Sequence, residues 1–188
     1  MARLIVVRHG ECQANLEHRL AGSKNDSPLT EKGIDQARET GQALLDSRIK
    51  PDRIISSPLS RALDTARVIA KELNFDGEIQ IDDRIIERDF GGATDRPITD
   101  SLFSETTDME TPSHLHDRLR DFFKSLDNSS DENMLIVTHA GVSHMIDVIF
   151  HDTFSVDEFF RAPKLGNAEF WILDTADVKS QKGEYEQR

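Results

Sequence analysis

Short apolar runs rich in β-branched residues alternate in this chain with longer stretches whose apolar residues recur at helical spacing. The runs at 3–8, 53–57, 134–138 and 169–173 (RLIVVR, RIISS, MLIVT and EFWIL) predict strands. The first three are apolar at successive positions, which is typical of strands buried on both faces. Such strands, separated by helices, predict an α/β fold: a three-layer sandwich with a mainly parallel central sheet flanked by helices.

Four segments carry apolar residues on one helical face. These faces run from Ile34 to Leu45, from Ala62 to Leu73, from Leu115 to Leu126 and from Val142 to Ile149. We expect Thr30 to be the N-cap of the first helix. Ser57 and Pro58 are expected to be the N-cap and first residue of the second.

The length and composition favour one domain. A chain of 188 residues that is 37% hydrophobic can bury a sizeable core, so we predict a single domain over residues 1–188. The polar segment at 88–113 has little periodicity and is expected to be a variable cap. The charged tail from about residue 174 is expected to be frayed.

The charge balance and the single cysteine limit the partners and the compartment. Lys and Arg total 23 against 35 Asp and Glu, a net charge of −12, which disfavours a nucleic-acid partner. No stretch approaches the roughly 18 consecutive apolar residues of a membrane span, and the N-terminus lacks the pattern of a signal peptide. Cys12 cannot form an internal disulfide, so we predict a reducing cytoplasm. The sequence does not predict the oligomeric state.

Groups that can carry positive charge follow three of the predicted strands. Arg8 and His9 follow the first, Arg61 comes just past the second, and His139 follows the third. Ligands of open α/β sheets bind at the carboxyl ends of the strands. One such residue alone would be an ordinary ion pair or a core histidine, but four together predict a pocket for a small dianion such as phosphate.

Three motifs in this order resemble those of the histidine phosphatase superfamily, which is also called phosphoglycerate mutase-like, and the short polar segment around 93–113 favours its phosphatase branch. They are VVRHGEC at 6–12, SSPLSRALDTA at 56–66 and VTHAGV at 137–142. The resemblance continues in SPLTEKGIDQA, IIERDFGG and ETPSHLHDR, and it extends to NAEFWIL at 167–173.

The resemblance implies a phosphatase that needs no metal and no cofactor and hydrolyses phosphomonoesters through a phosphohistidine. It makes His9 the nucleophile, Glu87 the general acid and base, and His139 a further catalytic residue. It assigns phosphate binding to Arg8, Arg61, His139 and Asn15. We further expect substrate contacts from Arg88, Gly22 and Ser23.

Several residues have competing interpretations. Glu11 and Asp89 are alternatives to Glu87, and Glu11 is interpreted either as part of a hydrogen-bond network behind the arginines or as a surface residue. Six residues separate Cys12 from Arg19, whereas a cysteine-dependent phosphatase loop needs five, so we expect Cys12 to be a passive small residue.

Histidine pairs elsewhere do not predict a metal site. His114 with His116, and His139 with His144, have spacings seen in metal sites, but no companion Asp or Cys set stands at ligand spacing. We therefore expect no metal.

Two alternative functions stay open: a cofactor-dependent phosphoglycerate mutase and a non-catalytic phospholigand-binding regulatory module. Arg88 is a mutase-like feature, but the segment at 93–116 is short, with Arg96 as its one Lys or Arg. Its acidic residues are expected to bring negative charge close to the pocket and to disfavour a second anionic group on the substrate; they are Asp95, Asp100, Glu105, Asp108 and Glu110. The substrate class is a small phosphorylated metabolite or a phosphoprotein.

Overall fold

The computed structural model describes residues 3–99, 101–102, 106–126, 132–161 and 165–174. Its strands are β1 (Arg3–Arg8), β2 (Arg53–Ser56), β3 (Ile79–Ile81), β4 (Met134–Thr138) and β5 (Phe170–Asp174). Its α-helices are α1 (Gln13–Leu16), α2 (Glu31–Asp46), α3 (Ser60–Glu72), α4 (Pro112–Ser125), α5 (Ala140–Phe150) and α6 (Val156–Arg161). Short 3₁₀ helices occupy Asp83–Ile85 and Gly91–Ala93.

The five strands form one sheet in the order β3-β2-β4-β1-β5. The pairs β1–β4, β2–β4 and β2–β3 are parallel, and β5 runs antiparallel to β1. The predicted mainly parallel α/β fold is therefore confirmed. Because Arg8 pairs with Thr138 in the parallel ladder, the carboxyl ends of β1 and β4 lie side by side.

Both faces of the central strands are buried, as their unbroken apolar runs predict. Along β1, Leu4 and Val6 face a core that also contains residues of α4 and α5, while Ile5 and Val7 face a core with residues of α2 and α3. The alternation follows from the two-residue period of a strand. Helices therefore cover the sheet on each side, which makes the predicted three layers.

Helix α2 begins as predicted, with Thr30 as its N-cap. The Thr30 hydroxyl accepts a hydrogen bond from Gly33 N at 3.0 Å. Ala37 and Leu44 on the predicted face are buried, but Leu45 at the edge of that face is exposed.

The start of α3 differs from the prediction. Its N-cap is Leu59 and its first residue is Ser60, so Ser57 and Pro58 stand before the helix. The amide of Ser60 donates to Asp26 Oδ1 at 2.7 Å. An N-terminal donor of α3 is thus satisfied from a distant segment, which local sequence cannot reveal.

Two glycines bring the segment after β1 against the first turn of α2. A Cβ on Gly10 would lie 2.3 Å from Gly33 O, and a Cβ on Gly33 would lie 2.0 Å from Glu11 O. Only glycine fits such backbone contacts, so α2 fixes the path of the chain directly after His9.

Parts of the predicted cap and tail lie outside the described residues. Residues 100 and 103–105 of the segment 88–113 are among them, as is the tail beyond Asp174. Among the helices that the structure describes, none is long and apolar enough to cross a membrane.

Candidate active site

His9 stands directly after β1 and is buried. Its amide donates to Thr138 O at 2.9 Å, which ties it to the end of β4. Its ring Nδ1 lies 2.7 Å from Gly10 O. A carbonyl can only accept, so Nδ1 carries the proton and the lone pair of the neutral ring is on Nε2.

The surroundings of His9 favour that neutral form. Burial lowers the pKa of His9 well below its usual value, and the positive charges of Arg61 and Arg8 lower it further. The Gly10 hydrogen bond opposes this shift. A neutral imidazole with its lone pair on Nε2 can act as a nucleophile.

Arg61, from the first turn of α3, is buried beside His9. Its Nε lies 3.3 Å from His9 Nε2, and its two amino groups donate to Asn25 O and Gly22 O, each at 2.8 Å. Burial lowers the pKa of Arg61, and the Glu87 carboxylate opposes this. The predicted site residue Gly22 therefore acts through its carbonyl, and its φ of +62° suits glycine.

Arg8, the last residue of β1, approaches the same place from the sheet. Its Nη1 donates to Leu165 O at 2.7 Å. Its Nε is buried and has no hydrogen-bond partner among the described residues. Burial lowers the pKa of Arg8, again opposed by Glu87.

His139 is the N-cap of α5 and is completely buried behind His9, with the two ring centres 5.2 Å apart. Its Nε2 lies 2.7 Å from Ser57 Oγ, and its buried Nδ1 has no partner in the part of the chain that the structure describes. Burial, followed by the charge of Arg61, lowers the pKa of His139 well below its usual value. The surroundings of His139 therefore disfavour a positive charge on its ring.

Both carboxylate oxygens of Glu87 accept backbone hydrogen bonds. Oε1 accepts from Arg88 N at 2.9 Å, and Oε2 accepts from Gly141 N, in the first turn of α5, at 3.3 Å. A Cβ on Gly141 would lie 2.8 Å from Glu87 Oε1. The absence of a side chain at position 141 therefore makes room for this carboxylate.

The side-chain amide of Asn15 is oriented by two donors. Its Oδ1 accepts from Cys12 N at 3.2 Å and from Asn167 Nδ2 at 2.9 Å. This arrangement leaves Asn15 Nδ2 to donate elsewhere. Asn167, which the sequence analysis did not single out, also donates to His9 O at 3.3 Å. Its position just before β5 in the NAEFWIL motif was the available signal.

Arg88 lines the cavity, and its side chain is partly engaged, because its buried Nε has no hydrogen-bond partner among the described residues. Its guanidinium carbon lies 5.3 Å from the ring centres of both Phe90 and Phe159, and its Nη2 donates to Glu110 O at 2.6 Å. Ser23 is absent from the cavity wall that the structure describes, and its amide donates to Arg88 O at 3.0 Å. The substrate contact expected from Ser23 stays a prediction.

These groups meet in one cavity of about 480 Å³. Its polar and charged lining includes Arg8, His9, Asn15, Arg61, Glu87 and Arg88. Its apolar lining includes Leu20, Phe90, Ile98, Phe159 and Phe160, and Cys12 also contributes to the wall. The structure thus brings together the predicted site residues except Ser23, with His139 just behind the wall.

The competing carboxylates point away from this cavity. Glu11 pairs with Lys32 at 2.9 Å and accepts from the Thr30 hydroxyl at 2.9 Å, and these contacts lower the pKa of Glu11. It therefore takes no part in a network behind the arginines. Asp89 pairs with Lys24 at 2.8 Å, which lowers the pKa of Asp89.

The described acidic residues of the cap have partners of their own. Asp95 accepts from Asn25 Nδ2, Asp108 accepts from Gly92 N, and Glu110 pairs with Arg118. None of these three acids lines the cavity, whereas Asp100 and Glu105 lie outside the described residues. These three acids are therefore engaged on the cap, and the exposed residues that line the cavity include Ile98 and Phe160 as well as the partly exposed Arg19.

The other histidines have neighbours of their own. His114 Nδ1 lies 2.7 Å from Glu110 Oε1, His116 stacks on Phe154, and His144 stacks on Phe159. Within the described ranges, no group of three or more His, Cys, Asp or Glu residues could hold a metal ion.

A neutral histidine beside two buried guanidinium groups, at the carboxyl edge of a parallel sheet, forms a site suited to phosphoryl groups. Comparisons with known proteins agree with this class. A family model of the histidine phosphatase superfamily (branch 1) matches residues 4–185. The chain belongs to the histidine phosphatase superfamily. It is a phosphatase, so the predicted family and enzyme class are confirmed.

Individual relatives show how far the similarity extends. The chain is 34% identical to the uncharacterized phosphatase PhoE of Bacillus subtilis (strain 168) over 193 residues, covering 98% of this chain and 94% of PhoE. It is 43% identical over 105 residues to the Probable phosphoglycerate mutase GpmB of Salmonella choleraesuis, covering 56% of this chain and 46% of GpmB. A mycobacterial glucosyl-3-phosphoglycerate phosphatase solved with VO3 shares the fold, with a TM-score of 0.77, 20% identity and 93% of each chain covered.

Proposed function

We propose that the protein hydrolyses phosphomonoesters without a metal ion, through a phosphohistidine formed on His9. The observation that carries this proposal is the pair of contacts on the His9 ring. Nδ1 donates to Gly10 O at 2.7 Å, and Nε2 lies 3.3 Å from Arg61 Nε. The atom with the lone pair is thereby directed to where a guanidinium group can hold a phosphoryl oxygen.

Arg8, Arg61, His139 and Asn15 bind the phosphoryl oxygens in this proposal. Arg8 Nε and His139 Nδ1 support it, because both are buried without a hydrogen-bond partner among the residues that the structure describes. Buried donors of this kind normally have an acceptor. Phosphoryl oxygens would supply it and would gain stabilisation as negative charge spreads over them during transfer.

The reaction has two steps with one proton carrier. His9 Nε2 forms a bond to phosphorus while the ester P–O bond breaks, and the leaving oxygen takes the proton of the Glu87 carboxyl group. Glu87, now a carboxylate, takes a proton from water, whose oxygen bonds to phosphorus as the P–N bond breaks. Inorganic phosphate and neutral His9 result, and Glu87 again carries its proton.

Trapping of the intermediate tests this proposal. Rapid quenching of the reaction with an activated aryl phosphate should yield a phosphoenzyme that is acid-labile and base-stable, in the presence of a chelator. His9→Ala should not form it, whereas His151→Ala, which removes an exposed histidine, should. Label retained in His9→Ala, or turnover that returns only with added zinc or manganese, would contradict the mechanism.

Hydrogen bonds from two arginines of the cavity wall to backbone carbonyls favour net hydrolysis over the mutase alternative. Arg88 Nη2 donates to Glu110 O, and Arg19 Nη1 donates to Asp95 O at 2.5 Å, so a substrate carboxylate would compete with a protein carbonyl at each of these two nitrogens. Proton NMR of 3-phosphoglycerate with bisphosphoglycerate should reveal little 2-phosphoglycerate. Rapid isomerisation with negligible free phosphate would instead identify a mutase.

Small phosphorylated metabolites are the proposed substrates, in preference to phosphoproteins. The name of the mycobacterial glucosyl-3-phosphoglycerate phosphatase supports this choice, as does the size of the cavity. The complete set of proposed catalytic residues disfavours a non-catalytic module. The single-domain organisation, inferred from length and composition, stays a prediction. The cytoplasmic location, inferred from the single cysteine, also stays a prediction.

A further inference from the structure

The mouth of the catalytic cavity is built from apolar side chains of three separate segments. Leu20, Ile98 and Phe160 all line it, and Ile98 and Phe160 are 53% and 57% exposed. Single exposed apolar residues are ordinary, but several that converge on one cavity mark a surface that binds apolar groups.

Deeper in the cavity, Phe90 and Phe159 are fixed and nearly buried. Both rings pack on the Arg88 guanidinium, and Phe159 also stacks on His144 with ring centres 5.0 Å apart. These two rings therefore form a packed apolar part of the cavity wall.

The two guanidinium groups near this wall have protein partners. Arg88 donates to Glu110 O, while Arg19 contacts Glu17 at 3.4 Å and Asp95 O at 2.5 Å. Arg88 Nε is buried without a partner among the described residues, but a second anionic group on a substrate would compete with the protein contacts of Arg88 Nη2 and Arg19, whereas an uncharged group would leave those contacts intact.

We propose that Leu20, Phe90, Ile98, Phe159 and Phe160 form an apolar subsite that binds the alcohol part of the substrate. The substrate class is a small phosphomonoester of an uncharged alkyl or aryl alcohol. This assignment rests on the proposed hydrolysis at the same site. A cavity of about 480 Å³ holds one phosphate with such a group, which favours a small molecule over a segment of a phosphoprotein.

Binding of alkylphosphonates tests the subsite independently of turnover. Calorimetry with the series from methyl- to hexylphosphonate should give affinities that rise about two- to fourfold per methylene. A hexyl chain that ends in a carboxylate should bind at least tenfold more weakly than hexylphosphonate. Affinity independent of chain length, or stronger binding of the carboxylate, would overturn the apolar subsite.

Alanine substitutions at the mouth of the cavity test whether the alkyl chain of the phosphonate binds there. Phe160→Ala and Ile98→Ala should each lower the ratio of hexyl- to methylphosphonate affinity about fivefold, because each removes exposed apolar surface that the chain would cover. Val156→Ala, in the same helix as Phe160, should keep the ratio, because Val156 is 48% exposed and does not line the cavity. Equal ratios in all three variants would place the chain elsewhere and overturn the assignment.

Turnover of the matching esters separates this inference from the proposed function. Rising kcat/KM from methyl to hexyl phosphate supports both. Phosphonate affinity that rises without any phosphate release overturns the proposed hydrolysis and leaves the subsite standing. A phosphotyrosine peptide hydrolysed with higher kcat/KM than phenyl phosphate would overturn the small-molecule assignment.

Discussion

Arg61 Nε lies 3.3 Å from His9 Nε2, so the guanidinium group faces the ring nitrogen that carries the lone pair. The same guanidinium group donates to two carbonyls at 2.8 Å. Three directed contacts fix its position before any substrate arrives. Such preorganised donors are the main source of transition-state stabilisation in many enzymes.

Arg61→Lys tests this geometry because it keeps the charge and removes the planar fork. An ammonium group cannot make all three contacts at once, so kcat should fall by about 10²- to 10³-fold and vanadate inhibition should weaken. Steady-state kinetics with phenyl phosphate measure both effects. Arg67→Lys, an exposed position in the same helix, is the matched control and should behave as wild type.

Glu87→Gln should affect poor leaving groups most. An alkoxide needs a proton as it departs, so turnover of alkyl phosphates should slow by about 10²- to 10⁴-fold, while activated aryl phosphates lose much less. The measurement is kcat across esters of graded leaving-group pKa. Asp89→Asn should not change this dependence, and the opposite result for the two variants would assign the proton to Asp89.

Gly141→Ala should displace the Glu87 carboxylate without unfolding the protein. The added Cβ would stand 2.8 Å from Glu87 Oε1, the end of a flexible side chain that can move aside. We expect unfolding midpoints close to wild type and alkyl phosphate turnover reduced by about tenfold or more. Gly92→Ala is the control, because its Cβ would meet Asp108 only at 3.7 Å. Full activity in Gly141→Ala would argue against a fixed position for Glu87.

The two buried histidines should make the fold less stable in mild acid. Burial and Arg61 hold the pKa of His9 and of His139 well below the usual value. Below about pH 6.5 the unfolded chain therefore binds more protons than the folded one. The free energy of unfolding should therefore be highest above that pH and should fall as the pH decreases below it, because both histidines take up protons on unfolding.

Urea titrations at pH 7.5, 6.5 and 5.5 measure this slope. The double variant His9→Asn and His139→Asn should show a flatter dependence, while His151→Asn, which changes an exposed residue, should keep the wild-type slope. An unchanged slope in the double variant would mean that the histidines are charged in the folded protein.

The sequence predicts the three layers of the fold. It also predicts that four residues lie together at one edge of the sheet: Arg8, His9, Arg61 and His139. Apolar runs mark buried strands, and parallel strands end at one edge, so residues that follow them converge. The order of the strands and helices is sufficient for these predictions, and no side-chain contact has to be known.

Hydrogen bonds between segments that are far apart in the sequence could not be predicted from it. Asn167 orients Asn15 from the far end of the chain, and Asp26 rather than Ser57 supplies the acceptor at the start of α3. The acidic composition of the cap is evident from the sequence, but the ion pairs and hydrogen bonds of its acids are not. The apolar residues that line the mouth of the cavity were therefore not predicted. Such contacts depend on loop paths that have no periodic signal.

The place of β1 between β4 and β5 sets an order of events during synthesis. The strand that precedes His9 leaves the ribosome before its neighbours Met134 and Trp171. At about 5 to 20 residues per second, the delay is roughly 10 to 30 s. Leu165, whose carbonyl holds Arg8, also arrives late. Nascent chains that stall before this point therefore carry His9 without the neighbouring strands that position it in the folded protein.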